Sequence, residues 1–312
     1  MEFQIVLNST LTMLAFMVMG YALVKLKLAS PEHGRSLSSV LVYLAMPGLL
    51  VASFQEMEYS PENAKKLFLF FAVSLGVHLL MFLITWLMFG RKFNDGKYRI
   101  LSIASCMGNV GFFGQPVIRA LFPDSPLALC YCVMIAASMN ILIFTIGEFM
   151  ISRQRKYITL KRVVFNPTIF VLLFVIPMYF LRIRLPLVPY NVAVSLRSLS
   201  APLCMLVLGF RLASMRPSDV FCQPFGYLAG LLKLIVFPLI AYAVTLALPV
   251  DRLFRMTMLI TAGTPCASVI LSLAEVHNCE QDKAAYSVLM TTILCVVSLP
   301  LLTLVFSCFS ET

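Results

Sequence analysis

The stretch MGNVGFFGQP, residues 107–116, decides the fold, because three glycines, two amides and a proline interrupt an apolar run. Proline removes a backbone donor and clashes with the preceding helical turn, and glycine makes an unwound backbone sterically easy. Inside a bilayer, the freed backbone groups must be satisfied by protein, water or a ligand. The stretch therefore predicts a broken membrane helix that lines a cavity. The alternative is a kinked helix whose glycines allow close packing. A nucleotide-binding glycine loop is excluded, since no strand precedes the stretch and no Lys-Ser/Thr follows it.

The composition identifies a membrane protein with several spans. Of 312 residues, 60% are apolar and 12% are charged. A soluble domain carries roughly a quarter charged residues, so this chain could not cover a water-exposed surface with polar groups. Soluble enzymes, secreted disulfide scaffolds and disordered chains are therefore excluded. We predict an all-α polytopic protein that lies in the lipid bilayer of the plasma or inner membrane. The net charge of +10 does not indicate nucleic-acid binding, because the basic residues punctuate the apolar runs as loop charges do.

The cysteines and histidines indicate neither a metal site nor a cofactor. The nine cysteines form no CxxC pair and no Cys/His spacing typical of a metal site. Most of them lie inside apolar segments, where cysteine behaves as a small hydrophobic residue. We therefore interpret them as packing residues and predict that the protein binds no metal and no cofactor.

Ten apolar segments predict ten transmembrane helices, since a span with its loop uses roughly 30 residues. The basic linker at 151–162 separates five spans from five. Lys and Arg number 15 on the linker's side of the membrane and 8 on the other side. By the positive-inside tendency, the linker is cytoplasmic and both termini are extracytoplasmic. The first span lacks the basic start of a removable signal and is predicted to be retained. The predicted spans are 3–24, 36–55, 66–89, 98–122, 126–149, 163–181, 192–213, 224–248, 252–275 and 284–307.

Two pairs of prolines indicate that the two halves are related. Pro47 in span 2 resembles Pro202 in span 7, and Pro116 in span 4 resembles Pro265 in span 9. An odd number of spans per half makes the second half enter the membrane from the opposite side. Related halves then form an inverted repeat, which is the plan of many secondary transporters. The predicted domains are a first five-helix repeat at 1–150, the cytoplasmic linker at 151–162 and a second five-helix repeat at 163–312.

A second interruption in span 9 completes the predicted site. Its sequence, TAGTPCAS at 261–268, again places glycine and proline inside an apolar run. Where two broken helices meet near the midplane, the N-terminal ends of their halves can hold an anion, and the C-terminal ends need a cation. In span 5, Asn140 either faces the same cavity or forms an interhelical hydrogen bond. The predicted substrate-binding residues are Asn109, Gly111, Gln115, Pro116, Asn140, Thr264, Pro265 and Ser268.

Two further ionisable residues lie at membrane depth. Lys233 is nine residues into span 8, roughly 14 Å at 1.5 Å per residue. It is predicted to neutralise the carbonyl ends of the broken helices or to attract the substrate anion; the alternative is a lysine that snorkels to the surface. His78, near the centre of span 3, is either a proton relay or a neutral, hydrogen-bonded histidine. The predicted midplane contains no acid, which argues against a carboxylate-bound sodium site and an aspartate proton carrier.

These residues resemble the auxin efflux carrier family, which includes the plant PIN-FORMED auxin exporters and bacterial relatives described as malonate transporters. The resemblance covers essentially the whole chain. Its most specific part is the run NVGFFGQP at 109–116 together with Lys233 and Pro238. Further similar features are the run YLAMP at 43–47, Asn166-Pro167, and the segment from Pro202 to Gly209.

The resemblance implies ten spans in two inverted halves, as in sodium/proton antiporters and bile-acid symporters, with helices 4 and 9 broken and crossing at proline. It also implies a scaffold of spans 1, 2, 6 and 7, a transport unit of spans 3–5 and 8–10, elevator-type transport of organic anions, and in many members a homodimer. The family's site roles fall on Asn109, Pro116 and Pro265. Near the span-9 proline this chain has Thr264 and Cys266 where the plant proteins carry an asparagine, and it lacks their long cytoplasmic loop. It therefore resembles a bacterial member, and indole-acetate is not the expected substrate.

The sequence as a whole favours a secondary transporter that exports or exchanges a small organic carboxylate. An intramembrane enzyme would need clustered ionisable groups at membrane depth, and only Lys233 and His78 are available, so we predict no enzymatic activity. A membrane sensor or receptor that uses the same fold without turnover is the alternative. Flux of a labelled anion would distinguish the two functions.

Overall fold

A computed structural model describes residues 2–158, 164–215 and 222–309, and within these ranges the chain forms helices and no β-strand. The last part of the predicted linker, 159–162, lies outside the described residues. In chain order the helices are α1 (Glu2–Lys25), α2 (His33–Glu56), α3 (Pro61–Phe89), α4a (Gly96–Ala104), α4b (Gln115–Leu121), α5 (Pro126–Ser152), α6 (Pro167–Phe180), α7 (Leu187–Ala213), α8 (Pro224–Leu246), α9a (Arg252–Ala262), α9b (Val269–Val276) and α10 (Gln281–Phe309).

Seven of these helices are long and apolar enough to cross a membrane: α1, α2, α3, α5, α7, α8 and α10. The apolar helix α6 has 14 residues. Many large apolar side chains face outward, among them Phe68, Leu83 and Trp86 on α3. The prediction of an all-helical, multi-pass membrane protein is therefore confirmed at this level.

Three helices begin with a polar cap followed by proline. Ser60 accepts a hydrogen bond from the Asn63 N–H at the start of α3, and Ser125 and Asn166 cap α5 and α6 in the same way. A capping side chain satisfies an N–H that has no helical partner, and proline at the next position has no N–H to lose. The structure starts α3 at Pro61 and α7 at Leu187, each five residues before the predicted span at 66 and 192, because prolines fit the first turn.

Three other prolines each follow a widened helical turn. In the second of these turns, the N–H of Gln115 donates to the carbonyl of Val110, five residues back. Proline cannot donate to the carbonyl four residues back and clashes with it, so the helix widens just before the ring. The turns are Leu41–Ala45 before Pro47, Val110–Gly114 before Pro116, and Leu232–Val236 before Pro238.

The chain leaves helical geometry between α4a and α4b and again between α9a and α9b. The first non-helical backbone lies at residues 105–109, so the expectation of a break at Pro116 is wrong. Pro116 is instead the second residue of α4b, where its missing N–H costs little. Of the three glycines, Gly108 lies in the non-helical backbone, whereas Gly111 and Gly114 lie in the wide turn. The part that contains the proline stays helical because the wide turn absorbs the clash of the ring.

Small residues bring α1, α2 and α7 together. α7 contacts both α1 and α2, and α6 contacts α2. A Cβ on Gly209 of α7 would overlap the backbone carbonyl oxygen of Met17 on α1, so only glycine allows this approach. The other helices form a second set of contacts: α5 contacts α3 and α9a, and α8 contacts α9a and α10. The two interruptions lie at the side of this second set that faces α7.

Candidate functional site

The two interruptions bind each other through their backbones. The N–H of Asn109 donates to the carbonyl of Pro265 at 2.7 Å, and the N–H of Ala267 donates to the carbonyl of Met107 at 3.0 Å. Together these bonds make an antiparallel bridge between Gly108 and Cys266. Unwound backbone in a bilayer must find partners, and here each break supplies them to the other.

Asn109 follows the first break and directs its side chain towards α7. The amide is buried, with 6% of the residue exposed, and its Nδ2 lies 3.6 Å from Sγ of Cys204 on α7. The Asn109 carbonyl accepts hydrogen bonds from the N–H groups of Phe113 and Gly114, at 3.0 and 3.2 Å. Both backbone groups of Asn109 are therefore bonded, whereas its amide nitrogen lies beside a weak sulfur acceptor.

A central cavity of about 100 Å³ lies against both breaks. Of the predicted site residues, Asn109, Gly111, Asn140 and Ser268 line it. The Asn140 amide also donates to the carbonyl of Ala136 on its own helix at 2.7 Å. The cavity is smaller than the ~300 Å³ of a typical drug-sized pocket, so it suits a small ligand.

The first residues of two half-helices border the central cavity. The turn leading into α4b contributes Val110 and Gly111, and the start of α9b contributes Ser268 and Val269. N-terminal ends of helices carry partial positive charge and unpaired N–H groups. The cavity is thus bordered by two ends that favour an anion.

A second cavity, which we call the vestibule, has a volume of about 480 Å³ and lies between α1, α4b and α7. The predicted residues Gly111, Gln115 and Pro116 line it, together with Arg119 and Arg197. Gly111 borders both cavities. Gln115 is buried, and its Nε2 donates to Oγ of Ser53 on α2 at 3.0 Å.

Gly263, Thr264, Pro265 and Cys266 of the second interruption are buried and lie outside both cavity walls, whereas Ala267 and Ser268 line the central cavity. Thr264 is fully buried, and its hydroxyl donates to the carbonyl of Thr261 at 2.7 Å. Pro265 accepts the bond from the backbone of Asn109. The structure therefore brings Asn109, Gly111, Asn140 and Ser268 together, and it places Thr264 and Pro265 in the backbone support behind them.

Lys233 is fully buried and sits against the end of α9a. Its Nζ donates to the carbonyl of Ala262, the last residue of that helix, and lies 4.9 Å from the ring centroid of Phe237. A Cβ on Gly108 would be 3.1 Å from this nitrogen, so the ammonium lies between the two breaks. Helix C-termini carry partial negative charge, which a cation stabilises. At this position the ammonium stabilises the carbonyl end of α9a. Lys233 lines neither the central cavity nor the vestibule described above.

His78 is buried on α3, away from both cavities. Its Nδ1 lies 2.6 Å from the carbonyl oxygen of Ser74, and its ring meets Phe237 edge-on with centroids 5.1 Å apart. In the described part of the chain, His78 forms no ion pair with an acid. The contact with Phe237 places His78 next to α8, the helix that contains Lys233.

Sequence reasoning missed an ion cluster at the vestibule. Glu56 at the end of α2 binds Arg197 through both carboxylate oxygens, each at 2.7 Å, and Arg119 lies 3.8 Å from the same carboxylate. Both arginines lie inside predicted spans, 98–122 and 192–213, and were only counted among the charges of the extracytoplasmic side. The available signal is that Arg119 follows Pro116 by three residues and therefore lies on the same face of α4b.

A second missed pair joins α5 to the segment after α9b. Oε1 of Glu148 lies 2.8 Å from Nε2 of His277, and Glu148 is 1% exposed. The sequence placed Glu148 only at a span end. Within residues 2–158, 164–215 and 222–309, no group of three or more His, Cys, Asp and Glu side chains is arranged to hold a metal ion.

Comparison with known proteins identifies relatives along the full length. A family model described as "Membrane transport protein" matches residues 5–162 and 153–303. An uncharacterized transporter of Methanocaldococcus jannaschii is 25% identical over 294 residues, covering 92% of this chain and 94% of the relative. An uncharacterized transporter of Methanothermobacter thermautotrophicus is 26% identical, covering 94% and 96%. A protein of Rhizobium meliloti named "Putative malonate transporter" is 24% identical, covering 84% and 83%.

Proposed function

The chain belongs to the membrane transport protein family, and from this premise we propose that it is a secondary transporter that exports or exchanges a small organic carboxylate. The observation that carries this proposal is the central cavity, where the N-terminal ends of two half-helices meet beside the Asn109 amide. A carboxylate there accepts hydrogen bonds from the helix ends and from the amide. Lys233 compensates the opposite, C-terminal end of α9a, so the anion does not compete with the protein's own carbonyls.

The proposed architecture has ten spans. The seven long helices, α6 and the two interrupted segments give this number, with α4a and α4b crossing α9a and α9b at the bridge between Gly108 and Cys266. We assign α1, α2, α6 and α7 to a scaffold and the remaining helices to a transport unit. Prolines 47 and 202 on α2 and α7 support two inverted five-helix repeats, 1–150 and 163–312.

The proposed mechanism is an elevator-type movement of the transport unit against the scaffold. The central cavity lies next to the contact between Asn109 and Cys204, which joins the two units. Movement there exposes the bound anion to one side of the membrane at a time.

By the distribution of Lys and Arg, both termini are extracytoplasmic, so the vestibule opens outward. In this proposal the protein works in the plasma or inner membrane, and the family resemblance favours a homodimer.

Counterflow of labelled malonate tests the proposal, because one relative carries malonate in its name. Purified protein is reconstituted into lipid vesicles loaded with unlabelled malonate, and the assay is repeated with other mono- and dicarboxylates. We expect uptake of at least one labelled carboxylate above empty vesicles. Binding without counterflow would overturn transport in favour of a receptor, and neither binding nor counterflow of any carboxylate would overturn the carboxylate assignment.

Asn109→Ala gives the residue-level test. Because a hydrogen bond to a charged group is worth about 1.5–3 kcal/mol, we expect counterflow to fall roughly tenfold to a hundredfold. The matched control is Asn191→Ala, an exposed amide at the start of α7, which should transport normally. Unchanged binding and flux in Asn109→Ala would make the amide structural.

A further inference from the structure

The vestibule holds more positive than negative charge at its wall. Arg119 and Arg197 line it, and the nearest carboxylate is Glu56. Both oxygens of Glu56 are bound by Arg197 at 2.7 Å, and Oε1 also accepts from the Tyr190 hydroxyl at 3.4 Å. Arg197 therefore neutralises Glu56 in a bidentate pair, which is the strongest geometry for this interaction.

Arg119 keeps its capacity to bind another anion. Its Nη1 lies 3.8 Å from Glu56, beyond hydrogen-bond distance, and 49% of its side chain is exposed. The side chain of Arg197 is 7% exposed. The two guanidinium groups thus differ in function: one is buried in a structural pair, and the other faces the open space of the vestibule.

The position of Arg119 connects the vestibule to the central cavity. Gln115, Pro116 and Arg119 lie within one turn of α4b, and all three line the vestibule. Gly111, one turn earlier, borders both cavities. An anion that leaves the central cavity on this side therefore passes Gly111 and next meets the Arg119 guanidinium. Arg119 follows Gly111 by eight residues, which is about 12 Å along a helix axis.

We infer that the vestibule is a second carboxylate-binding subsite, in which the Arg119 guanidinium binds the anion on its way to or from the central cavity. That the ligand of this subsite is the same anion as the transported one rests on the proposed function. Asn8 and Ser9 of α1 form the facing wall and offer neutral hydrogen bonds. Glu56 lies at the edge of contact with Arg119, so the incoming carboxylate takes the place of this weak internal partner.

Charge-selective labelling of a vestibule cysteine tests the subsite without requiring transport. Ser198 lines the vestibule and is exposed, so Ser198→Cys is introduced after Cys222 and Cys308 are replaced by serine. The reaction rates of an anionic and a cationic methanethiosulfonate reagent are then compared. Because a nearby guanidinium raises the local concentration of anions, we expect the anionic reagent to be favoured, and Arg119→Gln to lower the rate ratio by about tenfold.

Malonate then tests binding. Millimolar malonate should slow labelling by the anionic reagent, and the neutral analogue malonamide should not. Arg119→Gln should remove this protection. Arg119→Lys should keep the rate ratio and weaken protection, because lysine retains the charge but not the planar fork. The matched control is Arg182→Gln, which removes an exposed arginine outside the vestibule wall and should change neither quantity.

The outcomes separate this inference from the proposed function. A rate ratio that Arg119→Gln and Arg182→Gln change equally, or malonate protection that survives Arg119→Gln, would overturn the subsite. If wild-type vesicles show no counterflow while protection still depends on Arg119, the subsite is supported and the transporter assignment fails. If wild-type vesicles show counterflow but labelling and protection do not depend on Arg119, the transporter assignment is supported and the subsite fails.

Discussion

The two interruptions bind each other, yet their surroundings differ. Asn109 and Gly111 of the first border the central cavity, and a Cβ on Gly111 would meet only Met46 at an ordinary 3.6 Å. In the second interruption, Gly263, Thr264 and Pro265 are all buried. The comparison teaches that the first break presents the Asn109 amide to the ligand space, whereas the second reaches this space only with its last residues, Ala267 and Ser268, and is otherwise enclosed by protein.

Side chains from neighbouring helices satisfy the backbone of the second break. Lys233 on α8 donates to the Ala262 carbonyl, and the Thr291 hydroxyl on α10 accepts from the Cys266 N–H at 2.9 Å. The Cys266 thiol in turn donates to the Ala104 carbonyl at the end of α4a, at 3.1 Å. A buried polar group without a partner is costly, so the buried part of this break needs these donors and acceptors.

We expect the largest effect on stability from Lys233→Met. The substitution leaves the Ala262 carbonyl unpaired and removes the cation from the C-terminal end of α9a, which costs about 2–4 kcal/mol. The melting temperature of the purified protein should fall clearly, and counterflow should stop. The matched control is Lys65→Met, an exposed lysine on α3. A wild-type melting temperature would show that Lys233 does not support the second break.

Two variants, Gly108→Ala and Gly111→Ala, compare two positions of the stretch 107–116. Gly108 packs against the second break, and Gly111 borders both cavities. A Cβ on Gly108 would lie 2.5 Å from the Thr264 hydroxyl oxygen and 3.1 Å from the Lys233 nitrogen. We expect this overpacking to cost about 1–3 kcal/mol. Gly111→Ala should change stability by less than about 0.5 kcal/mol but reduce counterflow, since its Cβ enters the space between the two cavities. Equal melting temperatures for the two variants would contradict the difference in packing between Gly108 and Gly111.

A smaller loss of stability than that of Lys233→Met or Gly108→Ala is expected from Thr291→Val, which removes the acceptor of the Cys266 N–H. Leaving this donor unpaired should cost about 1–2 kcal/mol. The neighbouring Thr292→Val is the matched control, because the Thr292 hydroxyl donates to the Val288 carbonyl of its own helix, at 2.7 Å. Thermal melting of both proteins is the measurement. If the two valine variants have the same melting temperature, the stability of the second break does not depend on the hydrogen bond from Cys266 to Thr291 of α10.

The sequence determined the class of this protein, the approximate bounds of its long helices and the two segments that contain the interruptions. Apolar runs separated by Ser-Pro and Asn-Pro caps specify helices locally, because each cap satisfies N–H groups within a few residues. The glycine-containing stretches at 107–116 and 261–268 mark the interruptions for the same local reason. A break is a property of the backbone that the residues themselves impose.

Only the tertiary structure decided which broken residues face a cavity and which face protein. Thr264 and Asn109 occupy comparable motifs, but Thr264 is enclosed and Asn109 borders the cavity. Arg119 meets Glu56 across 63 residues of sequence, and Arg197 is buried on α7 in a pair with the same carboxylate, which its position in the predicted span 192–213 did not indicate. Burial and pairing depend on how distant helices pack. Hydrophobic periodicity and local propensity contain no information on the partner that another part of the chain will supply.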